Sequence, residues 1–79
     1  MKAIGPNIIP DLNGFYIHIA TGREYKVIGI GKMKHPEKGN WIPSVSYMLV
    51  SESDDNTYTR ALSSFQIHFA DAEGIVEVN

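Results

Sequence analysis

Cysteine is absent from the 79 residues, so no disulfide, thiolate nucleophile or thiolate metal ligand enters any account of this chain. That composition suits a reducing compartment. No apolar run approaches the ~20 residues that span a bilayer. The start, Met1-Lys2-Ala3-Ile4-Gly5-Pro6, also lacks the apolar stretch of a signal peptide. The expectation is a cytoplasmic chain with no membrane attachment. Positive charge is in short supply as well: seven Lys and Arg stand against nine Asp and Glu, a net charge of −2. Attachment to nucleic acid through phosphates draws on a basic surplus, so that function class is disfavoured.

Catalytic signatures are missing too. Serines are plentiful, but none sits in the G-x-S-x-G turn that exposes and activates a nucleophile. Gly29-x-Gly31 lies inside a strand-like run with no helix after it, so it is no phosphate loop. Asp54 and Asp55 occupy a polar turn, where paired carboxylates are most simply solvated. The histidines, His18, His35 and His68, lack the close spacing of a metal site. No enzyme activity, metal or cofactor is expected.

What the chain has is period-two alternation. Phe15, Ile17 and Ile19 alternate with Tyr16, His18 and Ala20; after a turn at Thr21-Gly22-Arg23, a second strand runs from Glu24 to about Lys32. Gly29 and Gly31 inside it predict a bulge or sharp bend. A loop at 34–40 leads to the longest strand-like run, Trp41 to Ser51, in which Val45, Tyr47 and Leu49 alternate against Ser44, Ser46 and Met48. A polar turn at 53–56 precedes a short strand at 57–60 and a helical turn at 61–64. A strand at 65–69, with Phe65, Ile67 and Phe69 on one face, and a last strand at 75–78 complete the reading. Short strands at near-regular spacing predict an all-β fold, a small SH3-like barrel of five or six antiparallel strands with one helical turn before the last core strand. The expected core is Ile17, Ile19, Val27, Val45, Leu49, Phe65 and Ile67. Residues 1–13 read as an extended arm and 14–79 as one barrel domain. Ile4, Ile8 and Ile9 suit the arm to covering a sheet edge, its own or a second copy's in a homodimer.

The succession Gly14-x-Tyr16-x-His18, Gly22-x-x-Tyr25-x-Val27, His35-x-Glu37, Val45-x-Tyr47, Tyr58-x-Arg60 and Phe65 resembles a small bacterial and phage family known only as a domain of unknown function (number sixteen-fifty-three). The resemblance covers roughly residues 14–69 and implies an SH3-like barrel of bacterial or phage origin, with no activity attached. The family's H-S-E element stands here as His35-Pro36-Glu37, its tryptophan as Tyr58, and its proline after the arginine as Ala61.

Three groups of side chains are candidates for contact with a partner. Tyr16 and His18 share a strand face by parity. If the aliphatic face fills the barrel, both point outward, and Arg60 adds a forked cation suited to a carboxylate or phosphate. The plainer alternative buries Tyr16 and His18 within the sheet and pairs Arg60 with an acid. Trp41, Tyr47, Tyr58 and Phe65 are either an aromatic groove or core, with Trp41 the exposed anchor because it follows a polar loop. His35 and Glu37 belong to that loop. The resulting expectation is a non-enzymatic binding module for a protein partner. One rival is a small anionic ligand or nucleotide held by Arg60 and the basic loop; the other is nucleic acid held by Lys32, Lys34 and Lys38. A protein partner predicts exposed apolar area, whereas a nucleotide predicts a concave basic pocket.

Overall fold

The computed structural model describes residues 1–51 and 56–72. Its elements follow in the order β1 (Phe15–His18), β2 (Glu24–Lys34), β3 (Trp41–Leu49), β4 (Tyr58–Ala61), α1 (Leu62–His68) and β5 (Phe69–Asp71). The strands form one antiparallel sheet in the order β4-β3-β2-β1-β5. The fold is mostly β, as the alternation predicts, and barrel-like, but the sheet is not closed: β4 and β5 are its edges. The turn expected at 53–56 falls mostly, and the strand expected at 75–78 wholly, outside the described residues.

The β2–β3 hairpin is the long axis of the sheet. Its loop closes because Gly39 takes a left-handed φ of 74°, which costs glycine nothing. His35 then donates its N–H to the Asn40 carbonyl at 2.7 Å. Register slips between Val27 and Gly29, leaving Ile28 as the extra residue of a bulge where the glycines predict one. β1 covers β2 only at Glu24, Tyr25 and Lys26, and β4 covers β3 only from Ser44 to Tyr47. From Lys32 opposite Pro43 to Lys34 opposite Trp41, the hairpin therefore runs on as a ribbon with no strand paired beside it among the described residues.

Two expectations about the core are corrected. The first concerns the face of β1. Parity holds, but the face that fills the interior is that of Tyr16, which is 5% exposed, while Phe15 is 44% exposed and Ile17 and Ile19 are only half-buried. Tyr16 reaches further than an isoleucine. Its ring meets Phe65 edge-on at 5.5 Å, and its hydroxyl accepts the Asp11 N–H at 2.8 Å, so the phenol is satisfied where it is buried. Tyr16 and His18 consequently lie on the inner face of the sheet and do not face outward.

The second correction concerns 65–69, where the expected strand is a helix as far as His68. Leu62, Phe65 and Phe69 recur at i, i+3 and i+7, which suits one face of a helical turn as well as alternation suits a strand. Helical geometry turns Ile67 away from Phe65 and leaves it 62% exposed, so Ile67 is not core. Val27, Val45, Leu49 and Phe65 are buried as expected, joined by Tyr16, Tyr47 and Phe69.

Residues ahead of β1 are laced onto this frame. Ile4 and Gly5 donate N–H groups to the carbonyls of Phe69 and Gln66, at 2.9 and 3.0 Å. Buried Gln66 returns two bonds through Nε2, to the carbonyls of Pro6 (3.2 Å) and Ile8 (2.8 Å). The chain then turns into β1 at Gly14, where a Cβ would lie 2.9 Å from the Asp11 carbonyl oxygen. Ile4 packs against the core, whereas Ile8 and Ile9 remain 50% and 63% exposed.

Candidate functional site

Strand register decides which side chains meet on the inner face. Tyr16 lies opposite Tyr25, His18 opposite Phe69, Tyr47 opposite Tyr58, and Val45 opposite Arg60. Phe69 is the hub. It stacks on Phe65 at 4.0 Å, and His18, Tyr47 and Tyr25 surround it at 5.0, 5.2 and 5.8 Å. The Arg60 guanidinium carbon lies 5.1 Å from the Phe69 centroid and 5.8 Å from that of Tyr47. Tyr58 stacks on Tyr47 at 5.8 Å and meets Tyr25 edge-on at 6.2 Å, at the half-exposed margin of the cluster.

Arg60 is fixed by hydroxyls. Its Nε donates to the Tyr47 oxygen at 2.8 Å, and its Nη1 donates to the Ser64 Oγ at 3.3 Å. Ser64 also touches the His68 Nδ1 at 3.4 Å, and that nitrogen donates to the Ser64 carbonyl at 2.9 Å. A carbonyl only accepts, so the His68 proton sits on Nδ1. His18 stacks on His68 at 6.5 Å and holds its own Nδ1 3.0 Å from the Thr21 Oγ1. Burial, then the Arg60 guanidinium and the His68 ring, lowers the His18 pKa below the ordinary histidine value of 6.5. Among the described residues, no carboxylate pairs with Arg60 or contributes to that shift.

The predicted site residues thus divide. His18 and Arg60 come together across Phe69, with Tyr47 and Tyr58 beside them. Tyr16 shares their face but is sealed against Phe65. Trp41 stands apart on the ribbon, 64% exposed, with the Lys34 Nζ 5.8 Å from its ring. The four-aromatic groove is not formed, because Phe65 is fully buried and Trp41 does not reach the others. His35 ties its own loop: its Nδ1 accepts the N–H groups of Glu37 and Lys38, both at 3.1 Å, and the exposed Glu37 takes part through its backbone.

A concave feature lies between the N-terminal segment, α1 and the start of β3. This open groove of about 580 Å³ is lined chiefly by Pro6, Ile9, Ile42, Pro43 and Leu62, with His35 also in its wall. No group of three or more potential metal ligands occurs among the described residues, and no described helix is long and apolar enough to cross a membrane.

Sequence reasoning misses Ser64, His68, Tyr25 and Phe69 as members of the Arg60 cluster. Reading 62–69 at helical spacing, which sets Ser64 one turn from His68, is the signal that finds the first two. Comparison of the chain with protein-family models, curated proteins and solved structures finds no match.

Proposed function

We propose that this domain is a non-enzymatic binding module whose partner is a protein. The observation that carries the reading is the apolar groove between the N-terminal segment, α1 and β3, beside Ile9 at 63% exposure. Exposed apolar surface of this kind is what a partner's side chains bury. The rival reading, a nucleotide in a concave basic pocket, gains less support: the groove wall is mainly aliphatic and prolyl, and Arg60 is not among the residues lining it. Charge specifies the occupant further. His35, which lines the groove, belongs to the loop that follows Lys34 and carries Glu37 and Lys38, two lysines against one acid. The partner segment accordingly presents aliphatic side chains to the groove and an acidic residue towards that loop.

Selection from a displayed random-peptide library tests this. Recovered peptides should combine aliphatic positions with a flanking acid. Ile9→Glu should weaken their binding at least about tenfold, the loss of one buried apolar anchor, without lowering the melting temperature. Peptides that bind Ile9→Glu and the parent chain alike would place the partner surface elsewhere. The membership suggested by the ordered Gly14-to-Phe65 pattern, and with it a bacterial or phage origin, belongs to the same proposal.

A further inference from the structure

We propose that two copies of this chain pair through the outer face of the sheet, about a two-fold axis that sets Lys26 of each copy over Glu24 of the other. The inner face is already occupied: α1 and the N-terminal segment bonded to it lie on the side of Tyr16 and Tyr47. On the outer face, Phe15, Lys26 and Met48 are register partners across β1, β2 and β3 and form one row. The next row is Ile17, Glu24 and Val50. Ile17 pairs with Glu24, and Val50 donates its N–H to the Glu24 carbonyl at 3.0 Å. Phe15 and Val50 are 44% and 43% exposed, and the other four are half-buried. None of the six lines the groove.

The charges on this face are arranged to complement themselves. β2 is the middle strand of the patch, so Glu24 and Lys26 stand at its centre, about 7 Å apart along the strand. Apolar side chains flank each of them: Ile17 and Val50 beside Glu24, Phe15 and Met48 beside Lys26. A two-fold axis that crosses the strands between the two rows exchanges the rows and keeps each strand over its own counterpart. Lys26 then faces Glu24 twice, Phe15 faces Ile17, and Met48 faces Val50. Every charge meets its opposite and every apolar side chain meets another. An axis along β2 would instead set Lys26 on Lys26 and Glu24 on Glu24, so the charges select between the two arrangements.

This pattern specifies a second copy as the occupant. A partner surface of uniform charge matches one of Glu24 and Lys26 and opposes the other, whereas an inverted copy matches both. The apolar side chains supply the affinity, and the desolvated ion pairs contribute register more than strength. The patch is small, three strands wide and two rows long, roughly 15 Å in each direction. That places it at the low end of specific interfaces, so the dimer is weak, with a Kd on the order of 10–100 μM. Each copy keeps its groove, which lies on the α1 side of the sheet.

Analytical ultracentrifugation of the full chain, from about 10 μM to about 1 mM, tests the pairing over the expected range. The parent should show a reversible monomer–dimer equilibrium. Glu24→Lys and Lys26→Glu should each weaken it at least about tenfold, because the two-fold repeats every like-charge contact. The double variant Glu24→Lys with Lys26→Glu recreates the pattern with its signs exchanged and should recover the dimer. Phe15→Ser, at an exposed ring, should also weaken the dimer with the melting temperature retained, and it carries the test if a charge reversal fails to fold. A dimer indifferent to all three single substitutions, or one that a folded double variant does not recover, overturns the proposal. So does a parent chain that stays monomeric throughout. In that monomer, a Met48 methyl shielded from a soluble paramagnetic probe would show the face covered by its own chain, and an unshielded one would leave it to a different protein. The substitutions lie outside the groove, so peptide binding there should persist in each variant, and this proposal and the groove reading fail separately.

Discussion

Replacing Arg60 by alanine separates a surface cation from a structural one. Two losses can be worked out from the geometry. The Tyr47 hydroxyl, on a side chain only 5% exposed, loses the donor 2.8 Å away, and an unsatisfied buried polar group costs about 1–3 kcal/mol. The guanidinium also leaves the faces of Phe69 and Tyr47, contacts worth about 0.5–1 kcal/mol each at partly exposed sites. The expected destabilisation is about 2–5 kcal/mol, read as a drop in melting temperature on the order of 10 °C or more for a domain of this size. A double-mutant cycle with Tyr47→Phe, followed by urea denaturation, isolates the hydrogen bond. Once the hydroxyl is gone, Arg60→Ala should cost about 1 kcal/mol less than in the parent chain. A cost below about 0.5 kcal/mol in the parent, typical of free surface side chains, or strictly additive costs in the cycle, would refute the reasoning and return Arg60 to the role of an unattached binding group.

The helix and the histidine give two more predictions. Phe65→Ala should cost about 3–5 kcal/mol, as deletion of a fully buried ring does, whereas Ile67→Ala should change stability by less than about 0.5 kcal/mol; denaturation midpoints that ranked them the other way would reinstate the strand. Because the folded His18 pKa lies below its unfolded value of 6.5, the unfolded chain binds more protons between the two values, so stability should fall as pH drops from 6.5 through the lowered folded midpoint. Melting curves from pH 7.5 to 5 should show this slope in the parent and a shallower one in His18→Gln, and equal slopes would contradict it.

Much of the fold is legible because strands declare themselves locally. The alternation of Val45, Tyr47 and Leu49 gives β3 its inner face, and Gly29 marks the bulge, since both signals depend only on a residue and its neighbours. Which side of β1 faces inward is a different kind of fact. Phe15, Ile17 and Ile19 outweigh Tyr16 and His18 in apolarity, yet Tyr16 is buried because Asp11 supplies its hydroxyl with a donor and Phe65 supplies a ring to meet. Neither partner is visible from the strand itself. The helix escapes detection for a related reason: Phe65-Gln66-Ile67-His68-Phe69 satisfies both periods, and Gln66 settles the matter through the carbonyls of Pro6 and Ile8, some 60 residues earlier.

The site was harder to read than the fold because its members are joined by register and not by motif. Parity pairs Tyr16 with His18, but parity says only that two residues share a face, never what lies across from them. What lies across is Phe69, a residue with no chemistry of its own, which sets His18 on one side and Arg60 on another. Ser64 and His68 join because α1 continues one turn further than the sequence suggests, bringing a hydroxyl to the guanidinium and a second imidazole beside the first. Both contacts depend on the helix. The added helical turn thus joins a hydroxyl and a second imidazole to an otherwise isolated arginine and histidine, and the same turn removes Ile67 from the core. One misassigned segment therefore accounts for the missing half of the site as well as for the misplaced core residue.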